Sequence, residues 1–335
     1  MIQRHTSRSV RLGRRRIVTL VGDPAQFPVL LRAMDTSTPK RRAVRSVLRT
    51  AGALRLLALV GRRPDDAEWA QIEESLAQAE LVEDAPALAV FWPAGDRAHR
   101  RYLLAVGGRG GASVFVKVST AAEVDERLLA NEHQVLAALQ VDPLRDWRTP
   151  VSYGLRRSGT QVSLAVQALP AQRGTVTWEL IEATLPLRRT SDLPPRSARP
   201  VELDWWLRAR RHPSSAEFEK TLRVLDDQQV PVGLVNGDIR PSNAITGPDG
   251  GWLFDWEFAD FSGPLNADVV GASLNRIGAD ALTEPVAEVV ERMRSAARRH
   301  GCDEFDVVLA LMYLSSVEHP GALRLRASWP GSSEH

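Results

Sequence analysis

Apolar positions along the chain change their spacing several times, and each change predicts a change of element. Ile17 to Val21 is a β-branched, apolar run that predicts a strand. From Arg42 to Ala58, Val44, Val47, Leu48, Ala51, Leu54 and Ala58 recur at three-to-four spacing, which predicts an amphipathic helix interrupted by Gly52. A second helix is expected after Pro64, with Asp65 and Asp66 in its first turn. The pattern then shortens. Ala87–Trp92, Arg101–Val106 and Ser113–Val118 read as strands, the last two joined by a turn holding Gly107, Gly108, Gly110 and Gly111. Ala121 to Leu139 returns to helical spacing, with Leu128, Leu129, Val135, Leu136 and Leu139 on its apolar side. Val151–Leu155 and Val162–Val166 complete a small antiparallel sheet with one helix against it.

The second half is mostly helical in pattern. Pro170 opens a linker, and Leu185–Pro200 carries Pro186, Pro194, Pro195 and Pro200 among arginines and serines, the composition of an exposed or disordered loop. Ser214 or Ser215 can cap a helix running to about Gln229, and Glu217 stands three residues after Ser214, as a capping box requires. Two strand–turn elements with polar loops follow, and helices are expected over 267–278, 283–299 and 303–316. No internal repeat is present in the sequence.

Composition narrows the class. The 335 residues suffice for two packed lobes, and 44% hydrophobic with 25% charged residues is ordinary for a soluble globular protein. A net charge of +2 makes no general case for nucleic acid. Basic residues concentrate at the start, at Arg4, Arg8, Arg11, Arg14, Arg15 and Arg16, which reads as a solvated, partly disordered terminus or as a polyanion-binding arm. A single cysteine, Cys302, excludes an intramolecular disulfide framework and a Cys-rich zinc site. The run at 17–21 is too brief for a signal-peptide core, and no segment approaches the ~20 apolar residues of a membrane span. The expectation is a cytoplasmic protein without a membrane span.

The candidate chemistry sits in two polar loops. Leu234-Val235 leads into Asn236-Gly237-Asp238-Ile239-Arg240-Pro241-Ser242-Asn243, and twelve residues after Asn243 comes Asp255, inside Phe254-Asp255-Trp256-Glu257. One carboxylate can accept the proton of an attacking hydroxyl, while an Asn amide oxygen and a second carboxylate can hold Mg²⁺ on a nucleotide's phosphates. Upstream, Lys117 lies in the strand Val114–Val118 and Glu132 fifteen residues later in the helix.

These segments resemble the aminoglycoside phosphotransferase and choline kinase family, over about residues 100–280 and most strongly over 230–270. The resemblance implies an α+β, bilobal, protein-kinase-like fold with a small antiparallel-sheet N-lobe and a mainly helical C-lobe. Residues 1–84 would extend the small lobe, 85–170 would form it, and 171–335 would form the catalytic and acceptor-binding lobe, with nucleotide and Mg²⁺ between the lobes. It implies Asp238 as catalytic base, Arg240 near the transferred phosphate, Asn243 and Asp255 as Mg²⁺ ligands, and Lys117 paired with Glu132 on the phosphates of ATP or GTP. Gly110, Gly111 and Ser113 would cover the phosphates, and Val166–Pro170 would pass the adenine. Asp268 would brace the catalytic loop from a helix start, or cap that helix.

Asn236 departs from the family's histidine; it keeps a donor and an acceptor but has a different reach and no charge. The implied activity is phosphorylation of a small-molecule hydroxyl, because only twelve residues separate Asp255 from Asp268, too few for a long regulated segment that docks a polypeptide. A catalytically weak nucleotide-binding regulator or scaffold is the alternative that Asn236 raises. Glu257 and Asp260 could face a cationic acceptor or brace the loop.

Overall fold

The computed structural model of the chain describes residues 8–11, 17–22, 66, 69–70, 73, 87–91, 99–106, 113–170, 174–191, 195–278 and 280–329. The helix expected over 42–58 and the glycine turn before Ser113 lie outside the described residues. After Pro64, Asp66, Trp69, Ala70 and Glu73 are helical, and Trp69 Nε1 donates to Glu73 Oε1 at 2.6 Å. The chain divides into two compact units. One comprises Met1–Gln140, Thr149–Gly174 and Thr246–Trp252, the other Val141–Arg148, Thr175–Ile245 and Leu253–His335.

The first unit is built on a seven-stranded antiparallel sheet. Its strands are β1 (Arg8–Arg11), β2 (Ile17–Gly22), β3 (Ala87–Phe91), β4 (Arg100–Val106), β5 (Val114–Ser119), β6 (Ser152–Ser158) and β7 (Gln161–Gln167), in the order β1-β2-β3-β4-β5-β7-β6. Arg8 and Arg11 thus belong to a strand and not to a disordered arm, because β2 offers its backbone ladder to β1 whatever side chains β1 carries. A short, charged strand at the sheet edge also discourages pairing with other chains. Alternation on β5 sends Val114, Val116 and Val118 into a core with Trp69, Leu88, Val90, Leu103 and Ala105. Helix α1 (Ala122–Val141) buries Leu129, Val135, Leu136 and Leu139. Its first turn is tied to β4 by Arg100, which donates to both oxygens of Asp125 at 2.9 and 2.6 Å. Burial acts to raise the Asp125 pKa, but Arg100, Ser119 and His99 outweigh it and hold the carboxyl below its usual range.

The second unit contains β8 (Gly174–Thr175, its second residue), α2 (Trp178–Ala183), β9 (Arg196–Ala198), α3 (Asp204–Ala209), α4 (Ala216–Leu225), β10 (Val230–Val235), β11 (Ala244–Gly247) and β12 (Gly250–Leu253) in part, and β13 (Asp260–Pro264). Helices α5 (Ala267–Ile277), α6 (Asp280–Thr283), α7 (Val286–Arg299), α8 (Glu304–Ser316) and α9 (Pro320–Ala327) complete it. Its core gathers Trp205, Trp206, Phe218, Met293, Tyr313 and the wholly buried middle of α8. The make-up of the two units is the α+β one expected, a sheet in the first and mainly helices in the second.

Several local expectations change. The helix expected over 283–299 starts at Val286, because Pro285 cannot supply the N–H that would continue α6 past Thr283 and instead stands at the N-cap of α7. Ser215, not Ser214, caps α4, accepting from Phe218 N at 3.2 Å, so no capping box with Glu217 forms. The helix stops at Leu225, where the polar run Asp226–Gln229 has nothing to bury. Within the expected loop at 185–200, Arg196–Ala198 pairs with β10. Among the described residues no helix is long and apolar enough to cross a membrane.

The Ser214 hydroxyl instead accepts from Arg326 Nε at 2.7 Å, while the Arg326 guanidinium also donates to the carbonyls of Ala209 at 2.5 Å and His212 at 2.9 Å and lies over the Phe218 ring. This fully buried cation ties α9 to the end of α3 and to the segment that follows it. Arg326→Met should therefore lower unfolding free energy by about 2–4 kcal/mol in urea melts, because the Ser214 hydroxyl and the Ala209 and His212 carbonyls lose their bonds to a charged donor.

Candidate functional site

β10 is buried along most of its length and delivers Asn236, Gly237 and Asp238 to a fixed place at its end. Asp268, in the first turn of α5, holds them there: its Oδ2 accepts from Asn236 N at 2.8 Å and its Oδ1 from Gly237 N at 2.9 Å. Both oxygens are spent on the loop, so Asp268 is a brace and not a cap of its own helix. Burial pushes its pKa up to about 6, against the two backbone bonds and with the Asp238 charge adding. Gly237 has φ +82°, and a Cβ there would stand 2.8 Å from the Phe258 carbonyl oxygen, which also accepts from Tyr313 Oη at 2.6 Å. Only glycine fits this position without moving the neighbouring loop.

Asn236 organises the loop by hydrogen bonds. Its Oδ1 accepts from Asp238 N at 3.1 Å, and its Nδ2 donates to the Asp255 carbonyl at 3.4 Å. The amide therefore joins the two polar loops that the sequence singled out. Asn243, in a 3-10 turn at Pro241–Asn243, adds a second joint: its carbonyl accepts from Phe254 N at 3.0 Å, closing the base of the β11–β12 hairpin. Asp255 itself is in the left-handed region, φ 67°, a conformation that costs about 1–3 kcal/mol in a non-glycine residue and persists only where the surroundings impose it.

Asp238 stands at the middle of these contacts. Its Oδ2 meets Arg240 at 2.8 Å and accepts from Asn243 Nδ2 at 3.1 Å; its Oδ1 accepts from Asn275 Nδ2 at 3.4 Å. Burial pushes its pKa up to about 6, Arg240 opposes that, and the Asp255 carboxylate adds to it. Asp238 and Asp255 are thus close enough to repel one another, and a cation would relieve that repulsion. The Asn243 amide nitrogen faces Asp238, which leaves its oxygen, 3.3 Å from the Ser242 hydroxyl, as a hard donor. An amide oxygen beside a carboxylate suits Mg²⁺, which keeps several waters and needs few protein ligands. Among the described residues no group of three or more His, Cys, Asp or Glu could hold a metal by itself, so a cation here would draw further oxygens from substrate or water.

In the first unit, Lys117 Nζ and Glu132 Oε2 are 2.6 Å apart, both nearly buried. Lys117 is on a central strand, opposite Tyr102 of β4 and Leu164 of β7, and points away from the valine face. Ser113 is partly buried and its carbonyl accepts from Ala168 N at 3.0 Å, joining the start of β5 to the end of β7. Gly110 and Gly111 lie outside the described residues. Glu257 is buried, and the partly buried Asp260 accepts from Ser262 N at 2.7 Å with Arg208, Asp204 and Arg196 as its charged neighbours. Asn275, His319 and Tyr313 were not singled out in the sequence. Asn275 did leave a trace: it follows Asp268 by seven positions, two helical turns along the same face.

No protein-family model matches the chain, and no curated protein matches it. Among solved structures it resembles aminoglycoside phosphotransferases. A thermostable mutant of aminoglycoside phosphotransferase APH(4)-Ia in its apo form is 14% identical, over 71% of this chain and 89% of that one, with a TM-score of 0.39. Spectinomycin phosphotransferase APH(9)-Ia, in complex with ADP and spectinomycin, is 13% identical over 77% and 92%, with a TM-score of 0.37. Monomeric WbdD is 16% identical over 64% of this chain and 44% of that one, with a TM-score of 0.30. The case for the site stands on its own side chains.

Asp238 binds its proton more tightly folded than unfolded, so its contribution to stability falls as pH rises from about 4 to about 6, and above that its charge is a net cost. Asp238→Asn should raise the stability of the metal-free protein by about 1–3 kcal/mol at pH 7–8, with the gain shrinking toward pH 4. Thermal melts in chelator across that range check it.

Proposed function

We propose that the chain is a phosphotransferase that moves the γ-phosphate of ATP or GTP to a hydroxyl of a small molecule, with Mg²⁺ bound by Asn243 and Asp255. The observation that carries this reading is the single hydrogen-bonded cluster around Asp238, in which Asn236, Asn243, Arg240 and Asn275 fix one carboxylate beside the Asp255 loop.

Asp238 has the role of base. A carboxylate whose pKa stands near 6 is still ionised at neutral pH, yet is a better proton acceptor than an ordinary aspartate. It orients the acceptor hydroxyl and takes its proton as the oxygen gains a bond to the γ-phosphorus and the bond from that phosphorus to the departing nucleoside diphosphate breaks. Arg240 is nearly half exposed and tethered to Asp238, so its guanidinium can turn to the charge of the moving phosphoryl group without leaving the site. Glu132 holds Lys117 as a cation on a rigid strand, the state in which an ammonium neutralises phosphates. Mg²⁺, when bound, neutralises the phosphate oxygens and holds them in line.

A small-molecule acceptor is supported by the short interval between Asp255 and Asp268, part of which pairs with β10 as β13. Aminoglycosides, amino alcohols and sugar-like hydroxy compounds remain within that class. A nucleoside triphosphate donor implies a cytoplasmic site of action. Against the alternative of a silent nucleotide-binding regulator or scaffold stands the Asn236 amide, which still ties Asp238 to the Asp255 loop.

The purified protein should transfer phosphate from Mg-ATP or Mg-GTP to one acceptor of a panel of aminoglycosides, amino alcohols and sugars. Asp238→Ala should cut transfer by about 10²–10⁴-fold while calorimetry finds nucleotide binding within a few-fold of wild type. Turnover should fall about tenfold per pH unit below pH 6, or below a lower value where a bound cation stabilises the carboxylate. Unchanged turnover in Asp238→Ala would sink the assignment.

A further inference from the structure

At Oδ1 of Asp238, the oxygen that Arg240 and Asn243 do not occupy, two polar residues from distant parts of the second unit are linked in series. His319 stands just before α9 and its Nδ1 accepts from Ala322 N at 3.4 Å, capping that helix. A ring nitrogen that accepts an N–H carries a lone pair, so in the neutral ring the proton is on Nε2. Nε2 lies 3.3 Å from Asn275 Oδ1. The Asn275 amide is thereby oriented: its oxygen faces the histidine, and its Nδ2 faces Asp238 Oδ1 at 3.4 Å and the Ile239 carbonyl at 3.2 Å.

We infer that His319 and Asn275 are positioning residues for Asp238, forming a directional relay in which the cap of α9 sets the histidine tautomer, the tautomer sets the amide, and the amide pins Oδ1 of the base. This rests on the phosphotransferase reading for its catalytic meaning, but the relay itself is a statement about hydrogen bonds. Asp238 would otherwise be held only through Oδ2, and its carboxyl could rotate about χ2. A donor on each oxygen removes that freedom and leaves one orientation toward the acceptor. The relay is also neutral throughout. Burial and the Arg240 charge push the His319 pKa down to about 4, so the ring does not place a second positive charge beside the base at neutral pH. The contacts at 3.2–3.4 Å are long, as catalytic hydrogen bonds often are before substrate is bound.

Four substitutions in the full chain test this, each with thermal unfolding as a check of folding. Asn275→Leu and His319→Leu should lower kcat about 10- to 100-fold while the KM for nucleotide stays within about twofold, because orientation and not binding is lost. His319→Gln restores a neutral donor and should recover most of kcat. Asn275→Asp keeps the size of the side chain but sets an oxygen against Asp238, and should lose kcat even where a leucine variant fails to fold.

A readout without turnover accompanies these. The Asn275 side-chain NH₂ signals, assigned by their loss in Asn275→Leu, should exchange slowly with water in wild type and His319→Gln, and quickly in His319→Leu. Folded leucine variants with wild-type kcat, or NH₂ exchange indifferent to His319, would overturn the relay. If wild type phosphorylates no acceptor, the functional reading fails, and NH₂ exchange still decides the relay.

Discussion

The pair of hydrogen bonds from the Asn236 and Gly237 N–H groups into Asp268 is the contact on which the rest of the second unit's polar centre depends. It fastens main-chain N–H groups at the end of a buried strand to a buried carboxylate at the start of a helix, so the backbone before Asp238 is fixed. Burying that carboxylate is costly, and two charge-assisted bonds offset only part of the cost. Nearby Asp238 and Asp255 add like charge. A stretch of chain that concentrates three carboxylates against an apolar core has accepted lower stability for a fixed arrangement of oxygens, a common trade at sites of chemistry.

Much of the architecture was legible because it follows from spacing alone. The alternation in Val114–Val118 and the three-to-four spacing after Ala121 dictated a strand and a helix that bury one face each, and Lys117 and Glu132 meet because each occupies the face left over. The loop residues stood out for another reason: Asp, Asn and Asp recur at fixed intervals after apolar strands, and the fold joins Asp238 and Asn243 by a hydrogen bond.

What the sequence concealed depends on contacts made across long separations. Ser214 and Ser215 look alike as caps until Arg326, 112 positions away, occupies the first. Arg196–Ala198 has the composition of a loop and becomes a strand because β10 has an edge to offer. Asn275 and His319 are unremarkable in their own helices, and only the fold brings a cap at residue 319 to bear on a carboxylate at 238. Asn236, which stands where the family pattern has a histidine, spans two loops through its amide, a contact that its place in the sequence does not announce.

The strand β13 carries a consequence of its own. Between the two aspartates that flank it, many kinase-like enzymes insert a segment whose ordering turns the catalyst on. Here that interval is short and already paired with β10. Under the phosphotransferase reading proposed above, the Asp255 loop would need no separate ordering step before substrate arrives.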